Sequence, residues 1–281
     1  MITPSREEHI RDRAYVPEHM TGYVRAISDA EPFLLEDHLC YVKERHLIFI
    51  GYPLSGPRDP GRLGDVLQHA VHEFKPRTVA VIGETLPSGT SACLRFESDE
   101  YYRIAEGGLR MPQNVRNMVR RAGRELRVER EEKVLGRAHR ELIVSFLESR
   151  EVGEETRSIL EKVPQYVSSV PTARVYAARD SRGSLVAFDV AEFGAQEYAF
   201  YMFNFRSPSV RMPGASDLLL HEIIKDATGE GKSFVNLGLG ISPGVAFFKR
   251  KWGAAPFLPY RRGLYSLHRP SLLDALRVPP L

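Results

Sequence analysis

Cys40 and Cys93 are the only cysteines in this 281-residue chain. No disulfide framework can form from so few, and neither cysteine has metal-ligand spacing, so each reads as a small buried hydrophobe and no metal is expected. No apolar run approaches the roughly eighteen residues of a membrane-crossing helix. The opening Met1-Ile-Thr-Pro-Ser-Arg-Glu-Glu8 carries charge where a secretory signal carries an apolar core, so a soluble cytoplasmic protein is expected. There is no Walker loop, no His-Glu-x-x-His, no Gly-x-Ser-x-Gly and no solenoid-length repeat. Those absences exclude the usual signatures of P-loop, zincin and serine-hydrolase chemistry. Acid is also missing locally: no Asp or Glu falls between Gly231 and Leu273.

What is present is ordinary globular material. Hydrophobic residues make up 43% and charged residues 27%, so a packed core rather than disorder follows. The length suggests about two domains. The net charge of +3 is mild, and its arrangement says more than its total.

Hydrophobic spacing alternates between the two regular periods. Met1 to Asp37 reads as largely irregular with one short helix. Leu39 to Leu54 reads as a hairpin turning at Lys43-Glu-Arg45, followed by a helix over Gly61 to Phe74 and a buried strand at Thr78 to Gly83. Pro112 to Glu125 has helical spacing, Leu126 to Val134 reads as a strand, and Arg137 to Arg150 and Glu154 to Val167 as helices. Strands follow at Arg174 to Arg179, Leu185 to Phe193 and Glu197 to Arg206. A helix capped by Gly214 or Ser216 precedes a strand at Phe234 to Leu237, a short helix around Phe247 and a last strand at Tyr260 to Leu267. Pro270 to Leu281 reads as a small docked helix and a loose end. The alternation predicts an α/β fold of two domains, 1–135 and 136–281, each a mixed central sheet flanked by helices, with the boundary between about 130 and 170.

Two basic features stand out. Arg116, Arg120 and Arg124 recur at every fourth residue of the helix expected over Pro112 to Glu125, joined by Arg121, and no acid interrupts Arg110 to Arg124. That stripe is either a nucleic-acid contact or is paired across the fold with the run from Glu129 to Glu132. The acid-free stretch carries Lys232, Lys249, Arg250, Lys251, Arg261, Arg262 and Arg269. An anion-binding corner is one reading, and cations complementing a helix C-terminus are the other.

Ala215-Ser-Asp-Leu-Leu-Leu-His-Glu-Ile-Ile-Lys-Asp-Ala-Thr-Gly-Glu-Gly231, then Val235-Asn-Leu-Gly238 and Phe248-Lys-Arg-Lys-Trp-Gly253, resemble the C-terminal half of the GCN5-related N-acyltransferase (GNAT) superfamily. More narrowly they resemble Fem-type aminoacyltransferases and the soluble domain of bacterial phosphatidylglycerol lysyltransferase. Asn114-Val-Arg-Asn-Met-Val-Arg-Arg-Ala122 is similar to the basic helix after the first acyltransferase-like half of those proteins. The resemblance covers 171–267 and, more loosely, 111–134. It implies tandem acyltransferase domains and a donor that is aminoacyl-tRNA, acyl-CoA or acyl carrier protein. Coenzyme-A-binding members carry Arg/Gln-x-x-Gly-x-Gly/Ala before the central helix. Here Arg211-Met-Pro-Gly-Ala-Ser-Asp217 keeps Gly214 but places Ser216 at the second glycine position, adds a carboxylate at Asp217 and loses an N–H at Pro213. That departure favours aminoacyl-tRNA slightly.

Acyl transfer needs a polarised carbonyl, a base for the acceptor and an acid for the leaving group. The resemblance implies that backbone N–H groups near Tyr201 to Asn204 grip the carbonyl. Asp189 and Glu192, carboxylates in an apolar strand, are candidate bases, unless each sits at a strand end in water. Tyr201 and Tyr265 are candidate leaving-group acids, unless they are core aromatics. Lys249, Arg250, Lys251, Arg261 and Arg262 are expected to form a positive wall beside Gly214 and Ser216. The rival expectation is an inactive acyltransferase-like domain that binds nucleic acid or anionic partners through these basic faces.

Overall fold

The computed structural model describes residues 2–56, 58–87, 93–105, 111–131 and 135–267. Glu132 to Val134, Arg269 and the expected tail helix at Pro270 to Leu281 lie outside the described residues. The protein is a mixed α/β structure in two compact units. The larger takes residues 1–30 and 99–259, the smaller 31–98 with 260 onward. The expected line at 135/136 passes inside the larger unit, because helices from the N-terminus and the strand after Asp99 pack with the later sequence.

The smaller unit is a meander of β1 (Glu31–Leu35), β2 (His38–Lys43) and β3 (His46–Ile50), then α3 (Pro60–Phe74) and β4 (Thr78–Gly83) parallel to β3. Its far edge is supplied by the end of β11 (Ala255–Ser266), antiparallel to β4. Helix α3 forms where its spacing predicted it: Leu63, Val66, Leu67 and Ala70 make a buried stripe. Asp59 caps it, accepting from Gly61 N at 2.9 Å, and Lys75 closes it in the left-handed region.

The larger unit opens with α1 (Pro4–Arg13) and α2 (Thr21–Ser28), two helices where one was expected. Its sheet runs β5 (Cys93–Ala105, paired here from Tyr101 onward), β10 (Phe234–Leu239), β9 (Tyr198–Arg206), β8 (Leu185–Glu192), β7 (Ala173–Asp180) and β6 (Leu126–Glu131). All neighbours are antiparallel except β9 and β10. On one face α8 (Ala215–Gly229) lies with α4 (Gln113–Ala122), burying Leu219, Leu220 and Ile223 with Ala187 and Ala191 of β8. Each of those three aliphatic side chains contributes about 1.5–3 kcal/mol by leaving water. On the other face α5 (Arg137–Glu148) and α7 (Val163–Ser169) cover Val175, Phe188, Val190 and Phe205. The single helix expected over Glu154 to Val167 is two, because Pro164 cannot donate to the preceding turn: α6 ends at Glu161 and α7 starts at Val163. The short helix around Phe247 is α9 (Pro243–Lys251).

The two units share one plan. Each is an antiparallel three-strand meander whose third strand leads through a helix into a parallel fourth, with α3 in one and α8 in the other.

Candidate active site

The parallel ladder between β9 and β10 is short. It pairs Tyr198 to Phe200 with Phe234 to Asn236 and then stops. Both strands are bulged just beyond that point. Val190 faces Phe203 while Ala191 faces Tyr201, which leaves Met202 as the extra residue of β9. Asn236 faces Arg103 while Gly238 faces Tyr102, which leaves Leu237 extra in β10. Two parallel strands that separate beside paired bulges leave backbone groups of β9 without a ladder partner.

Side chains gather against this opening from β8, β9 and α8. Asn204 Nδ2 donates to Asp189 Oδ1 at 2.5 Å and to Ser216 Oγ at 3.1 Å. Ser216 Oγ lies 3.3 Å from Asn204 Oδ1. Asp189 is fully buried, and burial pushes its carboxyl up to about 8 against the hydrogen bonds from Asn204 and Tyr201. Its Oδ2 has no hydrogen-bond partner among the described residues. Burial and the neighbouring Asp189 drive the Tyr201 phenol well above its usual value. Of the four, Asp189 sits behind, while Tyr201, Asn204 and Ser216 are only partly covered.

Helix α8 reaches this cluster because of Gly214. The residue is its N-cap at φ +85°, where a Cβ would stand 3.0 Å from Met118 O of α4. Only glycine fits both demands. Asp217, in the first turn, is turned inward: Trp252 Nε1 donates to its Oδ1 at 2.9 Å and Lys251 Nζ lies 2.5 Å from the same oxygen. The carboxylate that seemed to oppose an anion at this helix start is therefore neutralised from within the chain.

The predicted residues divide into those that meet here and those that do not. Asp189, Tyr201, Asn204, Gly214 and Ser216 come together. Glu192 is fully buried on the opposite face of β8, where it accepts from Tyr166 Oη at 2.6 Å and Gly194 N at 2.9 Å. A three-residue offset on a strand puts two side chains on opposite faces, so Glu192 and Asp189 cannot share a substrate. Tyr265 lies in the core of the smaller unit with Val79, Val81 and Phe49.

The basic wall is likewise largely inward. Lys249 is buried and its Nζ donates to Leu239 O; burial pulls its ammonium down to about 7, with the Asp99 carboxylate opposing. A Cβ on Gly238 would stand 3.7 Å from Lys249 Nζ and 3.8 Å from Tyr201 O, so this amine sits at the mouth of the strand opening. Arg250 donates to Tyr102 Oη at 3.3 Å. In the smaller unit Arg261 donates to Glu84 O and Arg262 lies 3.5 Å from Glu97. The stripe at α4 is different: Arg116, Arg120 and Arg121 on the helix, and Arg124 in the turn beyond its end at Ala122, are all exposed, and no carboxylate partner is found for them among the described residues. Arg116 Nη2 reaches Met111 O at 3.2 Å.

Sequence reasoning missed Asp99. Its carboxylate accepts from Gly240 N at 3.1 Å and Ile241 N at 2.7 Å, holding the turn that sends β10 into α9. Gly240 has no room for more, since a Cβ would come 2.7 Å from Asp99 Oδ1. The only sequence signal was Gly238-Leu-Gly240 itself.

No family model matches the chain, and no curated protein sequence matches it. Solved structures do. The DUF2156 domain at the C-terminus of an Agrobacterium fabrum protein assigned as a lysylphosphatidylglycerol synthetase is 17% identical, with TM-score 0.62 over 92% of this chain and 90% of that one. FemX is 11% identical, with TM-score 0.62 over 99% and 98%. A tandem GNAT protein from the clavulanic acid biosynthesis pathway is 13% identical, with TM-score 0.51 over 83% and 79%. The fold is GNAT-like, of the FemX and lysylphosphatidylglycerol synthetase type. In this GNAT-like core the cluster of Asp189, Tyr201, Asn204 and Ser216 occupies the place where the parallel strands part and the central helix begins. Among the described residues no helix is long and apolar enough to cross a membrane, and no cluster of His, Cys, Asp and Glu could hold a metal.

Proposed function

We propose that the protein is an acyltransferase that moves an aminoacyl or acyl group from an activated donor to an amine or hydroxyl, working at the parting of β9 and β10. The observation that carries this reading is the network of buried Asp189 with the partly covered Asn204, Ser216 and Tyr201, beside unpaired backbone of a bulged strand. The β9 backbone holds the donor carbonyl and stabilises the oxyanion as the acceptor nitrogen or oxygen bonds to its carbon. Lys249, poised near neutrality, accepts the proton of the attacking group. The donor's ester or thioester bond then breaks, and its leaving atom is protonated through Tyr201, behind which Asp189 is still protonated below pH about 8. The named resemblances and the tandem plan of the two units support the same reading.

Aminoacyl-tRNA is the favoured donor over acyl-CoA or acyl carrier protein. Ser216 of the departed glycine loop is engaged with Asn204, and Pro213 offers no N–H, so little of a pyrophosphate cradle is left. The exposed arginines of α4 suit a large polyanion better than a small one. Those same arginines favour the second reading, an inactive domain that binds nucleic acid.

Incubating the protein with charged tRNA, acetyl-CoA and acylated carrier protein, and following acyl transfer to amine acceptors by mass spectrometry, separates the two. The enzyme reading expects transfer from one donor and a loss of about a hundredfold in kcat for Tyr201→Phe or Lys249→Met. No transfer from any donor, beside tight salt-sensitive tRNA binding, establishes the second reading.

A further inference from the structure

The smaller unit contains a cavity that the transfer reaction does not use. It measures about 370 Å³, and its lining includes His38, Arg58, Asp59, Arg62 and Glu84. That volume falls at the low end of small-molecule sites, which span roughly 300–1,000 Å³. The cavity lies where β3 and β4 end in parallel and α3 begins, the position at which open α/β sheets receive ligands.

Its inner wall carries an unsatisfied group. His38 is 3% exposed and stacks on Phe49, with ring centroids 5.6 Å apart. Its Nδ1 has no hydrogen-bond partner among the described residues. Burial and the nearby Arg62 guanidinium lower its pKa, so the ring meets the cavity as a neutral imidazole.

The rest of the lining sets the charge of what fits. Arg58 and Arg62 stand against Asp59 and Glu84. Arg58 Nη1 lies 3.2 Å from Glu84, and Arg62 Nη2 lies 3.1 Å from Glu36 and 3.7 Å from Asp37. These ion pairs are half exposed, so they open at little cost. A phosphate is disfavoured, because Asp59 already occupies the start of α3 and accepts from Gly61 N. A simple cation is disfavoured by the two guanidiniums. A ligand carrying both charges satisfies every group.

We infer that this cavity binds a small zwitterion of the α-amino-acid class, its carboxylate on Arg58 and Arg62 and its ammonium on Glu84. The inference is independent of the transfer reaction proposed for the larger unit.

The test is thermal melting of the full chain with each of the twenty common amino acids at millimolar concentration, followed by calorimetric titration of the one that stabilises most. The expected result is saturable binding that weakens about tenfold or more in Glu84→Gln and in Arg58→Ala, with Asn204→Ala unchanged. The N-acetyl and amide derivatives, each lacking one charge, should also bind about tenfold or more weakly. Stabilisation by no amino acid overturns the inference. So does equal stabilisation by inorganic phosphate. A loss of affinity in Asn204→Ala but not in Glu84→Gln also overturns it, because the ligand then sits in the larger unit.

Discussion

Trp252 Nε1 donates to Asp217 Oδ1 across 2.9 Å, tying the end of α9 to the first turn of α8, with both residues buried. Lys251 Nζ shares the same oxygen at 2.5 Å. Asp217→Ala removes the acceptor from a buried N–H and from a largely covered ammonium at once. We expect a loss of about 2–4 kcal/mol in urea unfolding, and a milder loss for Asp217→Asn, which still accepts from the indole. Because Trp252 is the sole tryptophan, its fluorescence reports the change directly.

Asp189 gives a pH signature. Burial raises its carboxyl from the ordinary carboxylate range to about 8 in the folded protein, so the folded state holds a proton that the unfolded chain releases near pH 4. That contribution to stability is full below the unfolded value and is lost as pH rises towards 8. Asp189→Asn cannot ionise and lacks the effect. The stability of the native protein relative to Asp189→Asn should therefore fall between pH 4 and 8, by up to about 1.4 kcal/mol per pH unit, in denaturant titrations. A flat difference would place Asp189 in a more polar setting than the fold gives it.

Three glycines should rank by their surroundings. Gly214 combines φ +85° with a Cβ position 3.0 Å from Met118 O, Gly238 has φ +75° with only ordinary contacts, and Gly244 has open space. Replacement by Ala should cost about 2–3 kcal/mol at Gly214 and about 1–2 kcal/mol at Gly238. At Gly244, inside α9, it should stabilise by about 0.4–1 kcal/mol. Thermal melts of the three variants check the order.

Arg116 and Arg120 distinguish the donors. The double replacement by Ala should lower the salt slope of tRNA binding by about two units if aminoacyl-tRNA is the donor. Unchanged affinity for the true donor would instead favour coenzyme A, which is too small to reach along α4, or acyl carrier protein.

Much of the architecture was readable because its signals are local. The stripe Leu63, Val66, Leu67, Ala70 announced α3, and apolar runs announced β4 and β7 to β10. Strand β5 was not seen: Arg95, Glu97, Asp99, Glu100 and Arg103 interrupt it, and only Tyr101, Tyr102 and Ile104 are buried. Its partner β10 holds it in place, a long-range pairing that periodicity does not report. At the site, Asp189, Tyr201, Asn204 and Ser216 were legible as polar groups in apolar or helix-starting positions. The separation of Glu192 from Asp189 followed from strand parity and could have been drawn at once. The inward turn of Lys249 and Lys251 could not, because cations at a helix end look alike in sequence whether they meet solvent or a buried acceptor.

Asn236 Nδ2 donates to Tyr15 O at 2.9 Å, across 221 residues of chain. On the ribosome, α1 and α2 emerge long before the strand that fastens them exists, and β4 of the smaller unit waits in the same way for β11. Neither unit can close until β10 and β11 have been made, so the order of emergence and the order of assembly are at odds. Nascent chains halted before β10 should carry an exposed, chaperone-dependent N-terminus.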